Sequence, residues 1–420
     1  MKHLIFLLIL SFNFSYSQSD TAQIVIPDRE NTIAATKKPY VILISADGFR
    51  YDFAKKYNAT NLLKLAESGV QGESMLPSFP SITFPNHYTI ATGLYPAHHG
   101  LVDNYFYDYK RKETYAMSDK TKVRDGSWYG GIPLWSLAEK QGMIAASMFW
   151  VGSESDAGGK RPTYYYNYHE KFSPDDKVEK VINWLKLPED KRPHFITLYF
   201  PEVDHDGHKF GPESPEAEQA VHVVDAAVGS LVAKVKELGL ENMNFIFVSD
   251  HGMIKVAKEE AMDIPEILKD KSRFDYYNSQ TLLRVFVKNP ELVKETYKEL
   301  KRSKNRNYKV YLDSNFPKRF HFSEKDDLYD RIGQILLVPK APNIFLEKGK
   351  KTSVGKHGYD SKKTPEMRAT FYAFGPAFKN NLKIKPFENI HVYPLIAQIL
   401  GLKITEPVDG NIKTLENTLK

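Results

Sequence analysis

The chain has 420 residues, of which 42% are hydrophobic and 26% charged, with a formal net charge of +6. This composition is that of a globular protein with a sizeable core, and it excludes a disordered or fibrous chain. There is no cysteine, which excludes a disulfide framework, a thiol nucleophile, a lipid-modified N-terminal cysteine and thiolate zinc sites. Any metal site must therefore use His, Asp and Glu.

The first 17 residues have the pattern of an export signal. A short basic start precedes the apolar run Leu4–Leu10, and Ser15-Tyr16-Ser17 supplies small residues at positions compatible with cleavage. The run is about half of the roughly 20 residues that a membrane-spanning helix needs, which argues against a membrane anchor. We expect a signal peptide at 1–17, a mature protein without a transmembrane segment, and a periplasmic or secreted location. Because extracellular animal proteins commonly carry disulfides, the missing cysteines favour a bacterial source.

Strand and helix patterns alternate along most of the chain. Residues 18–38 are polar and are expected to form a flexible leader, whereas Tyr40–Ala46 is a continuous apolar run typical of a strand buried on both faces of a parallel sheet. Further strands are predicted at Met143–Trp150, His194–Phe200 and Asn244–Ser249, and helices at Asn61–Glu67, Pro133–Lys140, Asp175–Leu185 and Pro215–Leu238. This alternation predicts an α/β fold with a wound, mostly parallel central sheet and helices on both faces.

A more irregular stretch at 259–346 is interpreted as an insertion packed on the same body. It contains strand-like pieces at Leu282–Val287, Tyr308–Tyr311 and Gln334–Val338 and a helix near Pro290–Arg302. We therefore expect residues 39–420 to form a single catalytic domain with one insertion.

The positive charge does not indicate nucleic-acid recognition. Lysines alternate with Glu in the helical segments, which is typical of a solvated surface. The locally basic segment Lys301–Lys309 lacks interleaved aromatic residues and a known binding module. We expect no sequence-specific nucleic-acid partner, while a small anionic substrate is compatible with the charge; the oligomeric state stays open.

Three acidic residues follow predicted strands. Asp47 follows the run that ends at Ala46, Asp204 closely follows the strand that ends at Phe200, and Asp250 follows Ser249. In wound α/β sheets, ligands bind at the carboxyl ends of the strands. The sequence therefore predicts that these carboxylates share one edge of the sheet.

Three histidines accompany these carboxylates. His208 lies four residues after Asp204, so one helical turn would bring both to one face, although such a pair is also common in surface turns. The pair Asp250-His251 at the end of a buried strand, before a glycine, favours metal binding over a capping role. His357 lies in a glycine-flanked turn, a pattern that by itself is more typical of an exposed loop residue. Together, three Asp and three His suit zinc better than calcium or magnesium, and their number suits two ions. Paired ions favour phosphoryl displacement chemistry.

A nucleophile is available in Thr83. It lies just before Pro85, whose fixed φ suits the first turn of a helix through Asn86–Thr92. A helix N-terminus and a metal ion would both favour ionisation of the hydroxyl. The alternative is an ordinary N-cap.

Several segments resemble the nucleotide pyrophosphatase/phosphodiesterase family of the alkaline phosphatase superfamily, and they occur in family order between about residues 39 and 376. The segments are Ser45-Ala46-Asp47-Gly48-Phe49-Arg50, Thr83-Phe84-Pro85-Asn86-His87-Tyr88, Thr92 to Pro96, His99 to Asn104, Pro133-Leu134-Trp135, Phe149 to Ser153, Asp204 to Pro212, Ser249 to Met253 and His357 to Asp360.

The resemblance implies a role for each matching residue. Asp204, His208 and His357 would bind one zinc ion, and Asp47, Asp250 and His251 the other, beside Thr83 as nucleophile and metal ligand. The Asn104 amide and the Thr83 backbone N–H would stabilise a non-bridging oxygen of the substrate. Phe84 and Tyr168 would enclose a nucleobase, with Tyr164, Tyr165 and Tyr166 as alternatives to Tyr168. The implied activity is hydrolysis of phosphodiester and pyrophosphate bonds of nucleotides through a nucleotidyl-threonine intermediate, releasing nucleoside 5′-monophosphates.

Other functions remain open on sequence grounds. A phosphomonoesterase of the same superfamily would need cationic side chains near phosphorus, for which Lys160 and Arg161 are candidates, whereas a diester is served by the neutral Asn104. A choline-headgroup phosphodiesterase is a further alternative. A sulfatase is disfavoured because its modified Cys or Ser is replaced by Thr83, and a catalytically dead binding protein is disfavoured by the complete ligand set.

Overall fold

The structure is a computed structural model that describes residues 21–257, 259, 261–302 and 306–420. The expected signal peptide at 1–17 and the first residues of the expected leader lie outside these ranges. Within them, no helix has the length and apolar character needed to cross a membrane.

The secondary structure consists of many short strands and a smaller number of helices. The strands are β1 (Ile24–Val25), β2 (Tyr40–Ala46), β3 (Val70–Gly72), β4 (Met75–Leu76), β5 (Tyr105–Asp108), β6 (Glu113–Ala116), β7 (Ala145–Met148), β8 (Tyr164–Tyr165), β9 (Phe195–Phe200), β10 (Met243–Val248), β11 (Ile254–Lys255), β12 (Ala261–Met262), β13 (Phe274–Asn278), β14 (Leu283–Val287), β15 (Tyr308–Leu312), β16 (Ile335–Pro339), β17 (Ile344–Phe345), β18 (Gly355–Lys356), β19 (Phe371–Phe374), β20 (Leu382–Ile384) and β21 (Phe387–Glu388). The helices are α1 (Ile33–Thr36), α2 (Phe53–Lys56), α3 (Thr60–Glu67), α4 (Thr83–Thr92), α5 (Pro96–His99), α6 (Lys120–Val123), α7 (Leu134–Lys140), α8 (Pro174–Leu185), α9 (Glu202–Phe210), α10 (Pro215–Glu237), α11 (Val293–Arg302) and α12 (Val392–Leu400).

A nine-stranded sheet forms the centre of the fold, in the order β1-β8-β7-β9-β2-β10-β19-β3-β20. Strands β8, β7, β9, β2 and β10 run parallel to one another. Beyond β10 the direction reverses, because β19 pairs antiparallel with both β10 and β3. The predicted wound, mostly parallel sheet is confirmed, whereas the reversed strand β19 was not predicted.

Helices cover both faces of this sheet. Along β2, Val41 and Leu43 point into one hydrophobic cluster, together with residues of α4, α7 and α12. Ile42 and Ile44 point to the opposite face, where they join residues of α3, α8 and α10. A strand that is apolar on both sides is therefore required at this position, which explains the unbroken apolar run in the sequence.

The expectation of a flexible leader is wrong for residues 24–36. Strand β1 pairs with β8 at the edge of the central sheet, and α1 follows it. The buried Asn31 side chain donates to the carbonyls of Glu189 and Arg192 and accepts from the backbone N–H of Ile144. Polar composition concealed this packing because the contacts are made by a few polar groups and not by an apolar run.

The expected insertion forms a small antiparallel sheet in the order β13-β14-β16-β15, accompanied by α11. Its own apolar cluster includes Leu283, Val285 and Leu337. Leu282 and Leu336 belong instead to the large cluster beneath the central sheet. The insertion therefore packs on the main body through Leu282, just before β14, and Leu336 of β16. The single-domain boundaries 39–420 stay a prediction.

We predict that Asn31→Ala lowers the free energy of unfolding by about 2–3 kcal/mol, because it leaves a buried N–H and two carbonyls without their partner. Denaturant unfolding followed by circular dichroism would measure this. Ile33→Ala is a matched control in the adjoining helix, since Ile33 is 81% exposed, and its effect should stay within about 0.5 kcal/mol. Equal stability of Asn31→Ala and the unchanged protein would contradict the packed arrangement of this segment.

Candidate active site

The carboxyl ends of three neighbouring strands define one edge of the central sheet. Strand β2 lies between β9 and β10 and is parallel to both, with Ala46 opposite Phe200 and Ser45 opposite Val248. Each strand is followed at once by a candidate ligand segment. Asp47 follows β2, Asp204 lies in the first turn of α9 after β9, and Asp250-His251 follows β10. This is the juxtaposition that the strand-end argument predicted.

One candidate metal group consists of Asp47, Asp250 and His251. One ligand atom from each residue lies within 4.8 Å of the others. His251 Nε2 lies 3.0 Å from Asp250 Oδ2 and 3.5 Å from Asp47 Oδ1. All three side chains are buried.

The second group surrounds His357. Ligand atoms of Asp204, His251 and His357 lie within 4.8 Å of one another. His208 Nε2 lies 3.0 Å from His357 Nε2 and 3.5 Å from Asp204 Oδ2. The rings of His251 and His357 are stacked at 3.6 Å, so the two groups adjoin. The fold thus brings together all six residues proposed as ligands.

The three imidazoles are oriented by the backbone. His208 Nδ1 donates to the carbonyl of Gly355 at 2.8 Å, His357 Nδ1 to that of Ser81 at 3.0 Å, and His251 Nδ1 to that of Gly252 at 2.9 Å. A carbonyl can only accept, so in each neutral ring the proton lies on Nδ1 and the Nε2 lone pair points into the cluster. This is the usual support for a histidine that binds a metal ion through Nε2.

The carboxylates have unused acceptors that suit a cation. Asp47 Oδ1, Asp204 Oδ1 and Asp250 Oδ2 are buried and accept no hydrogen bond of good geometry from the residues that the structure describes. Buried charged oxygens are normally paired or bound to a metal ion. Oxygen and imidazole donors without thiolate suit zinc, so the residues fit the metal that the sequence implies.

The pKa values report the same crowding of charge. Burial and the negative charges of Asp250 and Asp204 hold the pKa of Asp47 well above its usual value. Burial alone would raise the pKa of Asp250, but the neighbouring His251 and His87 hold it well below its usual value. Burial, His251 and His208 hold the pKa of His357 well below its usual value, which favours the neutral imidazole that can act as a ligand.

Gly48 sets how closely these elements approach. Its φ is +67°, and a Cβ built there would lie 3.0 Å from Cα of Asp204. Its N–H donates to Asp250 Oδ1 at 3.2 Å. A glycine is needed here both for the left-handed backbone and for the contact between the end of β2 and α9.

Thr83 adjoins the candidate metal groups, and Asn104 contacts the residue that follows Thr83. Thr83 is the first residue of α4, and its Oγ1 lies 3.2 Å from His251 Nε2. The N-cap is Ile82, so the alternative of Thr83 as the N-cap is wrong. Asn104 Oδ1 accepts the backbone N–H of Phe84 at 2.9 Å. Because its oxygen is used in this way, the amide is oriented with its NH₂ group left to act as a donor.

The sequence reasoning missed two residues that hold the site. His87 Nδ1 donates to the Thr83 carbonyl at 3.0 Å, and its Nε2 lies 2.9 Å from Ser45 Oγ. The Tyr199 hydroxyl donates to Asp47 Oδ2 at 2.6 Å. His87 follows Thr83 by four residues on the same helix, which was a usable signal; Tyr199 lies within an apolar strand and gave none.

The two candidate base-binding aromatics have different neighbours. The Phe84 ring packs edge-on against Tyr115 at 6.3 Å. The Tyr168 ring lies 5.2 Å from Phe149 and 6.1 Å from Tyr199, and it is 38% exposed. Burial raises the pKa of Tyr168, and the negative charges of Glu170 and Asp47 add to the effect.

The alternatives to Tyr168 are placed less favourably for stacking on a ligand. Tyr164, Tyr165 and Tyr166 are all buried.

The two candidate cations are engaged with the backbone. Lys160 Nζ donates to the carbonyl of Glu139, and Arg161 Nε donates to the carbonyl of Glu154. Lys356, which precedes His357, was not considered from sequence, and burial lowers its pKa to about 8.

Comparison with known proteins gives consistent results. The chain is 35% identical over 394 residues to venom phosphodiesterase 2 of Crotalus adamanteus, covering 90% of this chain and 47% of the venom protein. It is 35% identical over 407 residues to the mouse ectonucleotide pyrophosphatase/phosphodiesterase family member 1, covering 92% of this chain and 43% of the mouse protein. The chain thus spans about half the length of these curated relatives.

The fold also matches solved structures. An inactive threonine-to-alanine variant of murine ectonucleotide pyrophosphatase/phosphodiesterase 5, in complex with AMP, superposes with a TM-score of 0.83 at 28% identity, covering 91% of this chain and 100% of that chain. A family model described as type I phosphodiesterase/nucleotide pyrophosphatase matches residues 41–360. The chain therefore belongs to the type I phosphodiesterase/nucleotide pyrophosphatase family.

Proposed function

We propose that this chain is an exported two-zinc phosphodiesterase and nucleotide pyrophosphatase that forms a covalent nucleotidyl-Thr83 intermediate and releases nucleoside 5′-monophosphates. The observation that carries the proposal is the Thr83 hydroxyl 3.2 Å from His251 Nε2, at the edge of a cluster of three carboxylates and three imidazoles. Relatives named as phosphodiesterases and nucleotide pyrophosphatases support the activity. A relative in complex with AMP, inactive after replacement of a threonine, supports the product and the nucleophile.

The proposed ligand assignment keeps the first group described above. In the second group His208, whose Nε2 lies 3.0 Å from His357 Nε2, takes the place of His251. Asp204, His208 and His357 would hold one ion, and Asp47, Asp250 and His251 the other, next to Thr83. Zinc bound there supplies positive charge that favours ionisation of a nearby hydroxyl and stabilises negative charge that develops on oxygen during phosphoryl transfer.

In the first half of the reaction, the hydroxyl proton of Thr83 passes to solvent and Oγ1 forms a bond to phosphorus. The bond from phosphorus to the first leaving group breaks, and that group departs with the bonding electrons. The Asn104 NH₂ group and the backbone N–H of Thr83, which has no carbonyl one turn earlier in its helix, donate to a non-bridging oxygen. In the second half, water attacks phosphorus, Oγ1 leaves and regains a proton, and the nucleoside monophosphate is released.

Phe84 and Tyr168 are proposed to bind the base. Phe84 adjoins the nucleophile in sequence, and Tyr168 packs on Tyr199, whose hydroxyl holds Asp47. Partial exposure leaves the Tyr168 ring accessible to a planar ligand, whereas its tyrosine neighbours are buried. The engagement of Lys160 and Arg161 with backbone carbonyls supports a diester over a monoester substrate.

We expect the unchanged protein to hydrolyse the p-nitrophenyl ester of thymidine 5′-monophosphate faster than p-nitrophenyl phosphate. Phe84→Ala should lower kcat/KM for the nucleotide by roughly tenfold or more, because one stacked ring contributes about 1–3 kcal/mol. Phe84→Tyr, which keeps the ring, is the matched control. A preference for the monoester would refute the assignment as a phosphodiesterase, and an equal loss on p-nitrophenyl phosphocholine would refute a nucleobase site at Phe84.

Thr83→Ala should lower kcat by about a thousandfold or more, because it removes the atom that bonds to phosphorus. Thr83→Ser keeps a hydroxyl and should retain measurable turnover. Mass spectrometry of acid-quenched protein should find a nucleotidyl adduct on Thr83 with a slow substrate. An adduct on another residue, or full activity of Thr83→Ala, would show that Thr83 is not the nucleophile.

Elemental analysis of the purified protein should find two zinc ions per chain. Removal of the zinc by a chelator should abolish activity and lower the melting temperature, because the buried carboxylates then lose their counter-charge. An ion that binds only the folded protein, at a free concentration about a thousand times its Kd, raises the free energy of unfolding by about 4 kcal/mol. Zinc should restore both properties. His208→Ala should bind one ion fewer while retaining the fold. Unchanged metal content in that variant would contradict the assignment of His208.

A further inference from the structure

We infer that Arg284 is a positioning residue, which holds Asn104 in its place through Asp103 and the backbone of Tyr105. The inference rests on the proposed function, since it concerns the group that would stabilise the phosphoryl oxygen. Arg284 lies in β14 of the insertion, far from Asn104 in sequence. On this inference, the insertion contributes a residue that helps to form the site.

The contacts surround Asn104 on both sides. Asp103 Oδ1 accepts the backbone N–H of Asn104 at 2.7 Å. Arg284 Nη2 lies 3.1 Å from Asp103 Oδ2 and donates to the carbonyl of Tyr105 at 2.8 Å. One guanidinium nitrogen thus engages the residue before Asn104 and the residue after it.

The rest of Asn104 is fixed by other bonds. Its carbonyl accepts the N–H of Met117 across the β5–β6 hairpin. Its side-chain oxygen accepts the N–H of Phe84. Only the NH₂ group is then left for a substrate, and its direction depends on where the backbone around Asn104 is held. A displacement of about 1 Å is enough to lower a catalytic rate about a hundredfold.

A guanidinium is suited to this position and an ammonium is not. Arg284 and Asp103 are both buried, so the ion pair is shielded from water. Arg284 Nη1 also donates to the carbonyl of Arg331 at 3.0 Å, which ties the group to the insertion. A lysine has a single nitrogen that cannot reach the Asp103 carboxylate, the Tyr105 carbonyl and the Arg331 carbonyl in the same planar arrangement.

Arg331 provides a matched control. It is equally buried, and it binds the same hairpin region through Asp108 Oδ2 and the carbonyls of Gly100 and Trp128. None of these partners adjoins Asn104 in sequence. Arg331→Lys keeps the backbone carbonyl that accepts from Arg284. It therefore perturbs a buried arginine of comparable environment without removing a partner of Arg284 or Asn104.

The test is a double-mutant cycle between Arg284→Lys and Asn104→Ala, measured as kcat and KM on the thymidine 5′-monophosphate p-nitrophenyl ester. Asn104→Ala should lower kcat about a hundredfold, as for loss of one oxyanion donor. Arg284→Lys should lower kcat by about tenfold or more when Asn104 is present, with KM changed by less than about twofold. In the Asn104→Ala background it should lower kcat by less than about twofold, because the group on which it acts is gone.

Two further measurements separate positioning from folding. Zinc content and melting temperature identify variants that lose the fold or the metal, and Arg331→Lys should change kcat by the same factor in both backgrounds. Asp103→Asn, which keeps an acceptor for the Asn104 N–H but removes the charge, should show the same coupling to Asn104 as Arg284→Lys, and it replaces Arg284→Lys if the latter is unfolded.

The outcomes distinguish the two proposals. Equal fold-losses for Arg284→Lys, or for the substitute Asp103→Asn, in both backgrounds would overturn the positioning role while leaving the proposed function intact. Absence of diester hydrolysis in the unchanged protein would overturn the proposed function itself. Full activity of Asn104→Ala would overturn the oxygen-stabilising role of Asn104, and with it the inference about Arg284.

Discussion

The confinement of three carboxylates at one edge of a sheet is the constraint on which the rest of this structure depends. Asp47, Asp204 and Asp250 converge at the ends of neighbouring strands, and each has one buried oxygen that finds no hydrogen-bond donor among the described residues. In a site of low dielectric constant, like charges at such distances repel strongly. Three imidazoles, whose rings are held by backbone carbonyls, direct their Nε2 atoms into the same space. A cation bound there by carboxylates and imidazoles would offset the repulsion. The arrangement suits bound metal cations.

Much of the fold could be predicted from the sequence because its central strands are buried on both faces. Strand β2 was predicted at its exact bounds, since an unbroken apolar run leaves little ambiguity. The antiparallel β19 could not be predicted, because strand direction leaves no mark in a run of four apolar residues. Strand β1 escaped for another reason: it has two residues, and its stability comes from Asn31 and from pairing with β8. Helix α9 has only Val203 and Phe210 as apolar side chains, so no helical repeat of apolar residues predicts it.

The convergence of Asp47, Asp204 and Asp250-His251 could be predicted from strand ends combined with residue chemistry. The places of His208 and His357 beside them rested on the family resemblance. The supporting residues were less accessible to such reasoning. Tyr199 and Arg284 act through contacts between segments distant in the chain, and each lies in a strand where its neighbours are apolar. Their side chains alone carry no sign of a role; only the fold shows that one hydroxyl reaches Asp47 and one guanidinium reaches both neighbours of Asn104. Residues that support a site by holding its other residues can be identified only from the tertiary structure.

Gly48 has a consequence for how variation at this site would be interpreted. The end of β2 contacts α9 at a point where a Cβ on residue 48 would lie against Asp204. The distance between the two ligand groups therefore depends on residue 48 having no side chain. A larger residue at 48 would separate Asp47 from Asp204, although the candidate ligands, Thr83 and the proposed base-binding aromatic residues would all still be present. A survey of substitutions scored by turnover would rank this position with the ligands themselves, although it offers no group that could bind an ion. Intolerance to mutation at Gly48 would therefore reflect the distance between the two ligand groups and not a chemical role of residue 48.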